Sequence, residues 1–256
     1  MNKKFILLCT LVLMFLTNVT VHAASILELE IHNDFQQFNG EVGVFAKNLK
    51  TGKTIQINQD NIFPTASTSK LIVALATYKY LYPKASPDKQ AEYDQDIDRM
   101  IKVSDNSSFE SLLNEFDENK NNFLDKVQRD LHLRVTKIHN EQAFKKYDYH
   151  SVTTPYEMSK VMEAIYKEKY LDKKQVRQLK DDLSNTIFTD EIPRYMQVPV
   201  FHKVGELDDV LCDVGVIQDG HDPILISFYT RTGDHNYSSD FIATESAKLY
   251  NALRRK

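Results

Sequence analysis

"FPTASTSKLIVALATYKYLY" (residues 63–82) sets Ser67, Thr68, Ser69 and a lysine at the mouth of an apolar run. From Ser67 to Tyr82 the pattern predicts a helix, apolar almost all round, as in a helix enclosed by a domain. Capping explains one hydroxyl. It does not explain Lys70, three residues after Ser67 and on the same helical face. A serine at a helix N-terminus has unpaired backbone N–H groups beside it. A lysine desolvated in a cleft loses basicity and can take the serine's proton. For an S-x-x-K that stands alone, a capping serine followed by a surface lysine remains the better reading.

Outward from this stretch, strands lie at both ends of the chain and helices lie between them. "SILELEIHNDFQQF" (25–38) has helical spacing. "EVGVFAK" (41–47) and "KTIQIN" (53–58) alternate as strands around a turn at Gly52. From Pro83 to about Pro193 only helical patterns and loops occur. They include 94–103, 108–116, 122–131 and 153–171, the last capped by Thr154 with Pro155 at its first position. Strand patterns return at 200–207, 213–217 and 224–230, and 238–255 closes the chain as a helix. The implied fold is α/β (α+β): a five-stranded antiparallel sheet flanked by the terminal helices, with an inserted all-helical lobe. Residues 24–66 and 194–256 would form the α/β lobe and 67–193 the helical lobe, with the cleft between them.

Residues 1–23 read as a secretory signal peptide: Lys3 and Lys4, the apolar "FILLCTLVLMFLT", then small residues ending at Ala23. The apolar run is shorter than the roughly 20 residues of a membrane span; the alternative is an uncleaved anchor. The expected location is therefore secreted or cell-envelope. Cleavage leaves Cys212 as the one cysteine and rules out an intramolecular disulfide. Removing Lys3 and Lys4 takes 32 basic groups to 30 against 36 acidic ones, a net charge of −6, which argues against nucleic acid as a partner. With 42% apolar and 27% charged residues, the 256-residue chain is globular in composition.

Two further motifs change the weight of Ser67 and Lys70. Ser104-Asp105-Asn106 lies between two amphipathic helices, and Lys203-Val204-Gly205 lies on the first late strand. S-x-x-K, S-D-N and K-x-G in that order, with "TTP" (153–155) opening its helix, resemble the class A β-lactamases and penicillin-binding active-site-serine hydrolases. The resemblance covers about residues 40–255. It implies that Ser67 is the acylated nucleophile, Lys70 its proton partner and Ser104 a proton shuttle to the leaving nitrogen. It implies that Asn106 holds the substrate's amide side chain and that Lys203 supplies positive charge. The N–H groups of Ser67 and Glu206, next to Gly205, would form the oxyanion hole. No metal or cofactor is implied. The expected partner is a small-molecule β-lactam or a cell-wall peptide, bound by a monomer with no membrane contact after signal cleavage.

Three departures bear on turnover. Val204 stands where the family usually has Thr or Ser. The 37 residues from Ser67 to Ser104 are fewer than in the resistance enzymes. The glutamate that activates the deacylating water is matched only by Glu141, and only across a gap; otherwise Glu141 is a solvated loop acid. The expectation is thus a weak or slow-deacylating β-lactamase. The alternatives are a D,D-peptidase on cell-wall peptides and a non-catalytic β-lactam or peptidoglycan-binding protein. Of the decoys, Asp117 to Gln128 imitates a calcium loop but reads as a helix start. His202 reads as a strand residue, and Arg231 as a surface cation rather than a carboxylate ligand.

Overall fold

A computed structural model describes residues 26–118 and 122–255. The signal-peptide reading of residues 1–23 lies outside the described residues. The chain forms two compact units, one up to Phe38 and one from Asn39 onward. In the first, Ile31 and Phe35 of helix α1 (residues 26–37) are buried, at i, i+4 spacing.

The second unit is built on a five-stranded antiparallel sheet. Its strands are β1 (Glu41–Asn48), β2 (Thr54–Ile57), β5 (Val200–Leu207), β6 (Val210–Ile217) and β7 (Ile224–Arg231), in the order β2-β1-β7-β6-β5. The period of two decides which side chain goes where. On β7, Phe228 packs against Phe241 of helix α9 (His235–Leu253), while its neighbour Tyr229 faces Phe63 and Thr68 on the other side. β5 is an edge strand, so one side of its backbone is left to face the helical part of the unit. The β1–β2 turn is held by Asn48, whose Oδ1 accepts from Lys50 and Thr51 N–H, with Gly52 at φ +80°.

The opening stretch folds in pieces rather than as one helix. Ala66–Thr68 is a 3₁₀ turn, followed by α2 (Ser69–Ala76), all eight of whose residues are buried. A π turn follows at Thr77–Leu81, and the ladder stops at Pro83, which has no N–H with which to continue it. Fully burying one of the Leu or Ile side chains of α2 is worth about 1.5–3 kcal/mol. This is why so apolar a helix is the axis of the unit.

Around it lie α3 (Pro87–Lys102), α4 (Asn106–Glu118), α5 (Phe123–Asp130), α7 (Pro155–Tyr166) and α8 (Lys173–Ser184). Asn122 caps α5 through its Oδ1, so the calcium-like stretch is a helix start. Thr154 caps α7 as its sequence predicts. Four elements were not singled out in the sequence, α8 among them. α6 (Glu141–Tyr147), capped by Asn140, falls within a presumed loop. The short strands β3 (Phe63–Pro64) and β4 (Val152–Thr153) pair, which puts strand inside the supposedly all-helical stretch. The pairing ties the entry to Ser67 to the residues just before α7.

Candidate active site

Ser67 owes its position to a strained approach and a glycine. Ala66 has φ +45°, in the left-handed region that side chains disfavour, and the chain turns sharply there before α2 begins. Thr68 Oγ1 donates to the Thr65 carbonyl at 2.6 Å and Ser69 Oγ to that of Ala66 at 2.9 Å, which fixes the turn. β5 lies directly against it. A Cβ built on Gly205 would stand 2.8 Å from the Ser67 nitrogen, so only glycine lets the edge strand come this close.

Ser104 is the second strained residue, at φ +57° between α3 and α4. Asp105 Oδ1 caps α4 by accepting the Ser108 N–H at 2.7 Å. The left-handed turn presents the Ser104 carbonyl to Lys70, whose Nζ donates to it at 2.6 Å. The same Nζ donates to Ser104 Oγ at 3.1 Å and to Asn106 Oδ1 at 2.7 Å. From the other side Lys203 Nζ donates to Ser104 Oγ at 3.1 Å and to the Val204 carbonyl at 2.8 Å. Two lysines therefore converge on one hydroxyl. Because both donate to the oxygen, the Ser104 proton is left free to be given to something else.

Burial weakens both cations. Lys70 is lowered to about 8 by desolvation, with Asp105 opposing the fall, and Lys203 to about 7 by desolvation and by the neighbouring charge of Lys70. A lysine near 8 exchanges a proton at neutral pH, as a base for a serine must.

A cavity of about 320 Å³ opens beside this group. Ser67, Lys70, Asn106 and Glu206 line it, together with Phe109, Tyr149 and His150. Another, of about 380 Å³, lies between α4, α5 and residues 138–140 and has no comparable serine–lysine pair. Of the residues singled out in the sequence, Ser67, Lys70, Asn106 and Glu206 share the first cavity, and Ser104, Lys203 and Gly205 stand against it. Glu141 does not join them. It begins α6 with its side chain 78% exposed and its Oε1 3.5 Å from His150 Nδ1. The buried carboxylate of this region is Glu157 on α7. It accepts N–H groups from Arg134, Val135 and Thr136 at 2.6–3.1 Å and the Thr136 hydroxyl at 2.7 Å. Burial opposes its ionisation, but these bonds outweigh it and hold the carboxyl below its usual range.

His202 is a buried strand residue, its Nδ1 2.9 Å from both oxygens of Asp213. Arg231 Nε donates to Asp209 Oδ2 at 2.6 Å. Among the described residues no group of His, Cys, Asp and Glu is arranged to hold a metal ion.

The sequence model of the beta-lactamase enzyme family matches residues 26–99 and 81–253. The chain belongs to that family. Among solved structures it resembles PBP-A at 20% identity, covering 88% of this chain and 95% of that one with a TM-score of 0.75. A PBP-A mutant held as its acyl-enzyme complex with penicillin-G has the same identity and TM-score. The TLA-1 extended-spectrum beta-lactamase matches at 18% identity over 90% of this chain and 98% of that one, TM-score 0.77. A class A beta-lactamase from Mycobacterium abscessus matches at 18% over 88% and 98%, TM-score 0.75. At such identities these neighbours show the fold, which is the β-lactamase one. No curated protein matches the chain in sequence.

The sequence reading missed Phe109, Tyr149 and His150 on the cavity wall and Phe188, whose ring centre lies 5.4 Å from Lys203 Nζ. Tyr149 and His150 sit a few residues before "TTP", a hint that spacing rules do not capture. Nothing local marks Phe188.

Proposed function

We propose that the chain is an exported active-site-serine hydrolase that forms an acyl-enzyme at Ser67 and releases the acyl group slowly. Its acyl donors are β-lactams or the acyl-D-Ala-D-Ala type of cell-wall peptide. The observation that carries this reading is the convergence of Lys70 and Lys203 on Ser104 Oγ beside the cavity that holds Ser67. In this mechanism neutral Lys70 accepts the Ser67 proton as Oγ attacks the carbonyl carbon. The N–H groups of Ser67 and Glu206 receive the oxyanion, and a lost donor at such a site costs about 10²–10³ in rate. Ser104 passes its proton to the leaving nitrogen and is resupplied through Lys70. Asn106 orients the substrate's amide while accepting from Lys70.

Slow release follows from Glu141, which stands in solvent rather than on the cavity wall. A deacylating water needs a base within hydrogen-bond reach, directly or through one water. This favours a penicillin-binding role over rapid destruction of the drug. Export rests on the signal-like residues 1–23, and among the described residues no helix is long and apolar enough to cross a membrane.

A labelled penicillin, followed by intact-mass spectrometry, tests the reading. The expected result is a stoichiometric adduct on the wild-type chain that persists for minutes and is absent from Ser67→Ala. An adduct that survives in Ser67→Ala sinks it.

A further inference from the structure

The cavity beside Ser67 serves one side of the acyl donor. Its lining includes Ser67, Asn106 and Glu206 and does not include Ser104 or Lys203. On the proposed function Ser104 gives its proton to the leaving nitrogen, whereas Asn106 and the Glu206 N–H meet the substrate's amide and its acyl oxygen. The cavity is therefore where the acyl group lies. That group also stays longest: Ser67 Oγ bonds to the acyl carbon, the bond to the leaving nitrogen breaks, and the proton lost by Ser67 ends on the departing atom.

The far wall of the cavity is aromatic and braced. Phe109, Tyr149, His150 and Leu207 belong to it. Tyr149 follows Asp148, whose φ of +62° ends α6. The next two residues are pinned: the Asn140 N–H donates to the His150 carbonyl at 2.9 Å, and the Thr65 N–H to that of Ser151 at 3.1 Å. The second bond ties this wall to the turn that carries Ser67. The Tyr149 hydroxyl donates to Asp209 Oδ1 at 3.1 Å. Asp209 stands in the turn between β5 and β6, two residues past Leu207, and its Oδ2 accepts from Arg231 Nε at 2.6 Å. The Arg231 guanidinium rests 5.8 Å from the Tyr149 ring centre. The hydroxyl thus joins the loop wall of the cavity to its strand-end wall, and the ring is held at both ends. A tyrosine fixed before a donor arrives offers a large apolar face, and little further ordering is needed when a group packs on it.

We propose that Tyr149 is a specificity-determining residue: its ring favours donors with an aromatic acyl group, and its bond to Asp209 limits how bulky that group can be. The proposal rests on Ser67 as the nucleophile and names the substrate class on the acyl side. It leaves the carboxylate on the leaving side of the donor as it is.

The test follows mass increase at Ser67 of the full chain with three penicillins that share one ring system and one carboxylate. Penicillin G carries a phenylacetyl group, 6-acetamidopenicillanic acid keeps the amide without the aromatic ring, and the third carries a rigid 2,6-dimethoxybenzoyl group. Penicillin G should label the wild type about tenfold faster than either of the others. In Tyr149→Ala the rate ratio of penicillin G to the acetamido compound should fall about tenfold. In Tyr149→Phe, which keeps the ring and loses the bond to Asp209, the ratio of penicillin G to the dimethoxybenzoyl compound should fall about fivefold. Ratios taken within one variant do not depend on how much of it folds. Equal labelling of the wild type by all three compounds overturns the proposal and leaves the nucleophile intact. So does either variant with its ratio unchanged. No adduct from any of the three, or adducts retained in Ser67→Ala, removes the nucleophile and the proposal together.

Discussion

Two regions border the same cavity and are built on opposite terms. Around Ser104, strained backbone, two buried lysines and an edge strand converge within hydrogen-bond reach. Around residues 136–155 the chain spends its buried carboxylate, Glu157, on holding its own loop, and leaves Glu141 in water. On the proposed function, the first region would form the acyl bond, and the second would not activate water. Acylation and deacylation are separable demands on one fold, because the first needs groups fixed by packing and the second needs one base at one distance.

The largest effect that would break this contrast is at Lys70. Lys70→Ala should slow acylation by about 10²–10⁴-fold, the usual worth of general-base help. Rapid-quench labelling measures it, and circular dichroism should show an unchanged fold. Ser104→Ala and Lys203→Ala should each cost about 10²-fold in the same assay. Wild-type rates in both would mean that the convergence on Ser104 Oγ carries no chemistry.

Next in size is a stability effect behind β5. Glu191 is raised to about 7 by burial and by the nearby charge of Asp213. A carboxyl whose folded value lies above its unfolded one stabilises the protein below the unfolded value, and that contribution is lost as pH rises through about 7. Glu191→Gln should therefore gain on the order of 2 kcal/mol over the wild type between pH 5 and pH 8. Urea denaturation at the two pH values reads this difference. A gap that does not change with pH would place the carboxylate in a better-solvated setting.

The acylation rate itself should climb by roughly 25-fold from pH 6.5 to 8.5, as Lys70, lowered to about 8, yields its neutral form. A flat profile would remove Lys70 as the base. The smallest effect expected is at Glu141. Glu141→Gln should change release of the acyl group by less than about twofold, since an exposed acid contributes little at a distance. A large loss, with acylation intact, would show that α6 swings Glu141 into the cavity and would erase the contrast between the regions.

Much of this was legible in the sequence because it is local. The three-residue step from Ser67 to Lys70 fixes both on one turn, the period of two puts Lys203 and Gly205 on the same face of β5, and Asp105 sits where a cap is needed before α4. Order along the chain named the family for the same reason: its motifs are short and each has its own local geometry. Packing decided the rest. No pattern announces that Ala66 and Ser104 adopt left-handed backbone, that the bare Cα of Gly205 meets the Ser67 nitrogen, or that Glu141 starts a helix facing water. Nor does any pattern set Phe188 on Lys203 from 15 residues away, since that contact depends on a loop tied to the end of α3. The sequence determined which groups match the family's motifs. How strongly each lysine is desolvated, and which of them a substrate can reach, are properties of the closed core, because desolvation and access depend on every element packed around a group.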